Sequence, residues 1–212
     1  MKHRISAIAC LLGLLMMACS ADAPVTVYNA SGTPPIGNKI PDYSFDVFYK
    51  NAISKLSLRQ YKGKWVVLFF YPADFTFVCP TELKDLSDHY EKFKKAGAEV
   101  ISISTDSAYV HQAWAQQHED IKKIQFPMAS DRSGKFSRLM GVYDETKGIS
   151  HRASFIVDPD GKIVAMEMTD EAIGRSAADL LRKLEAAVAV RESHGGFCPA
   201  NWHSGEELIR PK

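Results

Sequence analysis

Trp65 is followed by six apolar or aromatic residues, Val66 to Tyr71, with no polar interruption. A run of this length without alternation is the pattern of a strand covered on both faces, as central strands of parallel sheets are. After Pro72 the pattern stops. From Thr81 apolar positions recur at three- and four-residue spacing through Leu83, Leu86, Tyr90 and Phe93, which predicts a helix. Residues 99–104 read as a second strand, and Thr105, Asp106 and Ser107 offer caps for a helix over 108–118. A short strand over 126–131 and a short helix over 135–140 follow, the helix ended by Gly141. In 153–166 two apolar strands flank Asp158, Pro159, Asp160 and Gly161, a hairpin signal. The last helix spans 176–192, with Leu180, Leu181, Leu184, Ala187 and Val188 as its apolar stripe. Upstream, 42–48 and 54–58 suggest a small antiparallel ribbon.

Two parallel strands joined by a right-handed crossover, then an antiparallel hairpin with helices between, form a thioredoxin-like α/β arrangement. The expected architecture is a central mixed sheet flanked by helices. Composition supports one domain with a real core: 212 residues, 46% hydrophobic and 24% charged. A formal charge of +1 argues against a nucleic-acid partner, and the seven histidines are scattered.

The N-terminus is different in kind. Lys2, His3 and Arg4 precede an apolar run from Ile5 to Ala18, then small and polar residues. That is the pattern of a secretory signal over 1–23, too short for a spanning helix of roughly 20 residues. Leu15 to Cys19 resembles a lipobox, in which Cys19 would become the lipidated first residue of the mature chain. The expectation is therefore an exported protein, periplasmic or membrane-anchored; a start at Met16 or Met17 would instead give a cytoplasmic one. Residues 24–38, rich in Gly, Pro, Ser, Thr and Asn, read as a linker to a domain over 39–212.

Of four cysteines, Cys10 and Cys19 fall in that leader, leaving Cys79 and Cys198 in the folded body as a structural disulfide or a redox pair. Cys79 lies at a strand-to-helix junction, where the unpaired amides and positive end of a helix stabilise a thiolate. Pro80 suits a first helical turn, and Thr76 places a hydroxyl one short loop away. A small buried hydrophobe is the competing reading of such a cysteine.

The stretch Phe70-Tyr71-Pro72-Ala73-Asp74-Phe75-Thr76-Phe77-Val78-Cys79-Pro80-Thr81-Glu82 resembles the signature of the typical 2-Cys peroxiredoxins. Gly195 to Trp202 is similar to the segment around their second cysteine, in the manner of the bacterial alkyl hydroperoxide reductase C type. The likeness extends from about Gly37 to Trp202. It implies a thiol peroxidase that reduces hydrogen peroxide and organic hydroperoxides with no cofactor and no metal. Cys79 would be the peroxidatic nucleophile and Cys198 the resolving thiol from the other subunit of a homodimer. Thr76 would hydrogen-bond the peroxide, Pro72 shield the pocket, and Arg152 assist thiolate and peroxide. Glu82 and Arg182 would hold that arginine. A thiol or disulfide reductase would supply electrons, and five dimers would close a decameric ring, with Phe75, Phe77 and the Trp114 helix as contact residues. The Gly-Gly-Leu-Gly insert and Tyr-Phe tail of overoxidation-sensitive members are absent, which implies resistance to overoxidation. Two rival readings stand beside this one: an exported thioredoxin-like thiol-disulfide oxidoreductase, although Glu82 occupies the place its second cysteine would take, and a non-catalytic protein with a structural disulfide.

Overall fold

The computed structural model describes residues 36–211. The signal and lipidation sites expected within 1–23, including Cys19, and most of the expected linker lie outside the described residues.

The chain opens with a hairpin of β1 (Ser44–Tyr49) and β2 (Ala52–Ser57). Its two-residue loop puts Lys50 and Asn51 at φ 49° and 60°, the doubly left-handed turn that matches strand twist. Then come β3 (Trp65–Phe70), α1 (Cys79–Asp88), α2 (Tyr90–Lys95), β4 (Ala98–Ser104), α3 (Ala108–Gln117), β5 (Met128–Ser130) and α4 (Lys135–Leu139). A two-residue ribbon, β6 (Tyr143–Asp144) with β7 (Ile149–Ser150), precedes β8 (Arg152–Val157), β9 (Ile163–Thr169) and α5 (Ala177–Glu192). The seven-stranded sheet runs β2-β1-β5-β4-β3-β8-β9. β4 is parallel to β3 and β5, and the remaining pairings are antiparallel, so the sheet is mixed.

β3 is buried along its whole length because it separates two cores. Val67 and Phe69 face Leu83, Leu86, Phe93, Trp114 and Leu184, from α1, α2, α3 and α5. Val66, Leu68 and Phe70 face Phe136 and Met140 at and beyond α4. The unalternated run is the sequence trace of that position.

The structure differs from expectation in two places. The helix predicted from Thr81 onward divides at His89 into α1 and α2, and the Asp85 carbonyl there accepts from the His89 backbone N–H with the His89 Nδ1 also 2.9 Å away. The β6–β7 ribbon is too short to leave a periodic signal. Of the contact residues expected for association, Phe75 and Phe77 are exposed, and the helix that carries Trp114 buries that side chain while exposing Tyr109.

Candidate active site

The last residue of the apolar run, Tyr71, still bonds to the sheet through Ile103, and the chain then leaves it in a loop over 72–78. Asp74 anchors this loop. Its buried carboxylate accepts from the Tyr71 hydroxyl at 2.7 Å and lies 2.7 Å from His111 Nδ1 on α3, while its amide donates to Asp106 at 2.8 Å. Burial pushes the Asp74 carboxyl above its ordinary value of 3.8 against the pull of His111, and burial likewise pushes the Tyr71 hydroxyl up. His111 Nε2 is buried with no hydrogen-bond partner, so the ring is held from one side only. These anchors support a left-handed residue, Phe75 at φ 55°, a backbone state that costs a non-glycine residue about 1–3 kcal/mol. The Asp74–His111 pairing went unpredicted. Its trace in the sequence is a carboxylate inside an otherwise apolar loop.

The loop ends at Cys79, the first residue of α1 and fully buried. Val78 precedes it in helical conformation with no side-chain cap, so the helix start relies on Pro80 and on the Thr81 hydroxyl, which donates to the Val78 carbonyl. Pro72 is buried alongside. The Thr76 hydroxyl donates to the Ala73 carbonyl at 2.9 Å, which leaves its oxygen lone pairs free to accept a proton donor in the pocket.

Arg152 opens β8, the strand beside β3, and its side chain crosses to the helix start. Its Nη1 lies 3.3 Å from Cys79 Sγ and 2.5 Å from Glu82 Oε2, and its Nε donates to the Glu171 carbonyl at 2.8 Å. Glu82, one helical turn after Cys79, is thus the carboxylate that fixes Arg152.

The second guanidinium on Glu82 comes from Arg175, where Arg182 was expected. The Arg175 backbone N and its Nε each donate to Glu82 Oε1 at 2.9 Å, its Nη1 donates to Ser154 Oγ, and its plane covers the Phe69 ring at 3.6 Å. Arg182 sits on α5 and donates to the Trp202 carbonyl at 3.3 Å, because its position on the helix faces the C-terminal arm. Burial pulls the Arg175 guanidinium below the ordinary arginine range, and Glu82 opposes that pull. Two buried guanidiniums share one carboxylate, so this trio carries an uncompensated positive charge.

Cys198 is elsewhere. It lies on the arm, half-buried, its sulfur bonded only to the Pro199 carbonyl at 3.5 Å. It lines a groove with Trp65, the first residue of β3, whereas Cys79 follows the last, and the strand between them spans roughly 17 Å. Both cysteines are free thiols. Among the described residues no group of three or more His, Cys, Asp or Glu side chains could hold a metal ion.

Comparison with known proteins agrees with this geometry. Residues 36–166 match the model of the AhpC/TSA family. Alkyl hydroperoxide reductase C of Salmonella typhimurium is 45% identical over 176 residues, covering 83% of this chain and 94% of the relative. Its Escherichia coli K12 counterpart is 44% identical over the same length. Enterococcus faecalis AhpC superposes with a TM-score of 0.75 at 46% identity, over 77% of this chain and 98% of that one. Reduced 2-Cys peroxiredoxin of Plasmodium vivax does so at 0.80 and 32%, over 84% and 93%.

These relatives correct the expected localisation. They are AhpC-type peroxiredoxins, which are cytoplasmic, and they give no support to an exported lipoprotein. The export reading rested on a basic start and a short apolar run, a pattern that reports hydropathy alone. With more than half of the chain matched by the family model and more than four fifths by its relatives, the chain belongs to the AhpC/TSA family and is a peroxiredoxin, a thiol-dependent peroxidase.

Proposed function

We propose that Cys79 attacks the peroxide and that Cys198 of a second copy resolves the product. The observation that carries the first half is the Arg152 Nη1 contact with Cys79 Sγ, made by a guanidinium that Glu82 already holds in place. The sulfur of the thiolate attacks one peroxide oxygen. An S–O bond forms as the O–O bond breaks, and the leaving hydroxide or alkoxide takes a proton to become water or alcohol. Arg152 donates to the oxygens as charge moves between them, the Thr76 oxygen accepts the proton of the peroxide, and buried Pro72 keeps water from the new sulfenic acid. Glu82 and Arg175 orient Arg152.

The Cys198 thiol then condenses with that sulfenic acid, forming the S–S bond and releasing water. The length of β3 between the two cysteines favours a pairing between subunits of a homodimer, with a ring of five dimers as the larger assembly. Exposed Phe75 and Phe77 are the contacts offered for that ring. A thiol or disulfide reductase closes the cycle by returning two electrons to the bridge. The thiol-disulfide oxidoreductase alternative is disfavoured, since the side chain at its second cysteine position is Glu82, committed to two arginines.

The test is a non-reducing gel after one equivalent of hydrogen peroxide, with Cys79→Ser and Cys198→Ser beside the parent chain. A covalent dimer that either substitution prevents from forming both bridges, together with loss of peroxide consumption in Cys79→Ser, is expected. A bridge within one chain, or undiminished consumption by Cys79→Ser, overturns the assignment.

A further inference from the structure

One face of α1 meets the segment leading into α5 residue by residue. Val78, Glu82 and Asp85 share that face at helical spacing, and opposite them lie Gly174, Arg175 and Ala177. The three contacts differ in kind. A Cβ on Gly174 would come within 3.2 Å of Val78 Cγ1, so the first is close van der Waals packing that a glycine permits. The second is the buried pairing of Glu82 with Arg175. In the third, Asp85 Oδ2 accepts from the Ala177 N–H at 2.7 Å. Ala177 is the first residue of α5, whose amide has no acceptor within its own helix and whose end favours negative charge. The other carboxylate oxygen of Asp85 lies 3.2 Å from His89 Nδ1, which keeps the group aimed.

The cycle makes opposing demands on α1. Peroxide attack needs Cys79 buried against Arg152, and disulfide formation needs the same sulfur brought out. The helix start is the weak end of the seam, having an apolar contact and no side-chain cap. We propose that Asp85 is a positioning residue that confines this opening to the first turn of α1. By tying the second turn to the α5 N-terminus, it keeps Glu82 in register with Arg175 while Cys79 is out. Through Glu82 it keeps Arg152 where the returning sulfur needs it. This role rests on the parts assigned above to Cys79 and Cys198.

Removing the anchor shifts the closed–open balance toward open, so the two chemical steps move in opposite directions. Peroxide attack slows because the closed pocket is less populated, and disulfide formation quickens because the sulfur is already free. A residue that merely stabilises the fold would lower the melting temperature without splitting the rates.

The experiment follows the reduced full-length chain after mixing with hydrogen peroxide, by tryptophan fluorescence for the two steps and intact mass for disulfide against sulfinic product. For Asp85→Ala the expected result is oxidation slowed and disulfide formation quickened, each by about fivefold, so that the closed–open ratio shifts by about 25-fold, within the range that loss of one charge-assisted hydrogen bond produces. The sulfinic fraction at a given peroxide concentration falls with it. Asp85→Asn, which retains an acceptor oxygen for Ala177 and disturbs folding least, falls between the two. Unchanged rates, or rates that change together, in Asp85→Asn and Asp85→Ala overturn the proposal while leaving the peroxidase cycle intact. A parent chain that forms no Cys79–Cys198 bridge overturns the cycle itself and this role with it.

Discussion

Cys79 is buried where a strand, a loop and a helix meet, its sulfur on a guanidinium held by Glu82 and by the Glu171 carbonyl. Cys198 is half-buried on an arm whose backbone is tied by the Phe197–Ile209 bridge and by buried Trp202, and its sulfur donates to its neighbour's carbonyl. The first sulfur is bonded by a guanidinium from a strand 73 positions on, itself held through Glu82 by a residue 93 positions from that carboxylate, whereas the bond of the second sulfur is to the next residue. A thiol that must bring charge and geometry to a peroxide needs a rigid surround, because the helping donors must be in place before charge develops. A thiol that must travel to a sulfenic acid needs a tether instead. In the proposed cycle the pair divides these requirements between a packed site and a tethered arm.

The comparison breaks most sharply in single-turnover kinetics. Cys79→Ser should reduce peroxide consumption by several orders of magnitude, since no other thiol sits on the guanidinium. Cys198→Ser should leave the first turnover intact and stop there, with the sulfenic acid trapped by a dimedone adduct in intact mass spectra.

The next effect concerns stability. Glu82→Gln leaves Arg152 and Arg175 buried with no carboxylate, and unfolding free energy in urea should fall by about 3–5 kcal/mol.

Trp202→Ala tests the other side. With the arm's buried aromatic gone, proteolysis after Phe197 should quicken by about tenfold or more, as expected of a local contact worth a few kcal/mol. Oxidation of Cys79 should change by less than about twofold, because no contact of Trp202 reaches the Glu82 cluster.

The smallest effect is a pH slope. Burial raises the Asp74 carboxyl above its ordinary 3.8, so between that value and its native one the folded chain binds more protons than the unfolded chain. This group therefore favours folding below the window and loses that contribution as pH rises through it. Urea unfolding of the parent chain and Asp74→Asn, compared between pH 4 and pH 6, should show a more negative slope in the parent. An equal slope would mean that His111 cancels the cost of burial.

Much of the fold was legible because it follows from local pattern. The run after Trp65 could only be a doubly covered strand, and Asp158 to Gly161 could only turn a hairpin. Cys79 at a helix start followed from where one period ended and another began. The placement of Arg152 near the sulfur followed from resemblance and from an arginine leading into an apolar strand.

What pattern could not supply is which distant partner a charged side chain finds. Arg175 and Arg182 lie seven residues apart on either side of the start of α5, and nothing in their immediate neighbours says which one meets Glu82. The close approach of Gly174 to α1 decides it, by bringing the Arg175 backbone and side chain to one carboxylate oxygen. The Asp74–His111 pairing and the Asp85–Ala177 bond are likewise products of helix placement on the sheet.

The amino-acid sequence by itself determined the order and kind of the principal elements, the doubly buried β3 and the position of Cys79 at the head of α1. These depend on hydrophobic period and turn chemistry, which act over a few residues. Only the tertiary structure decided that Arg175 joins Arg152 on Glu82, that Trp114 is core while Phe75 and Phe77 stay exposed, and that the two cysteines lie at opposite ends of one strand. Those outcomes depend on how α1, α3 and α5 settle on the sheet, where the burial of each charge must be matched by a partner from another part of the chain.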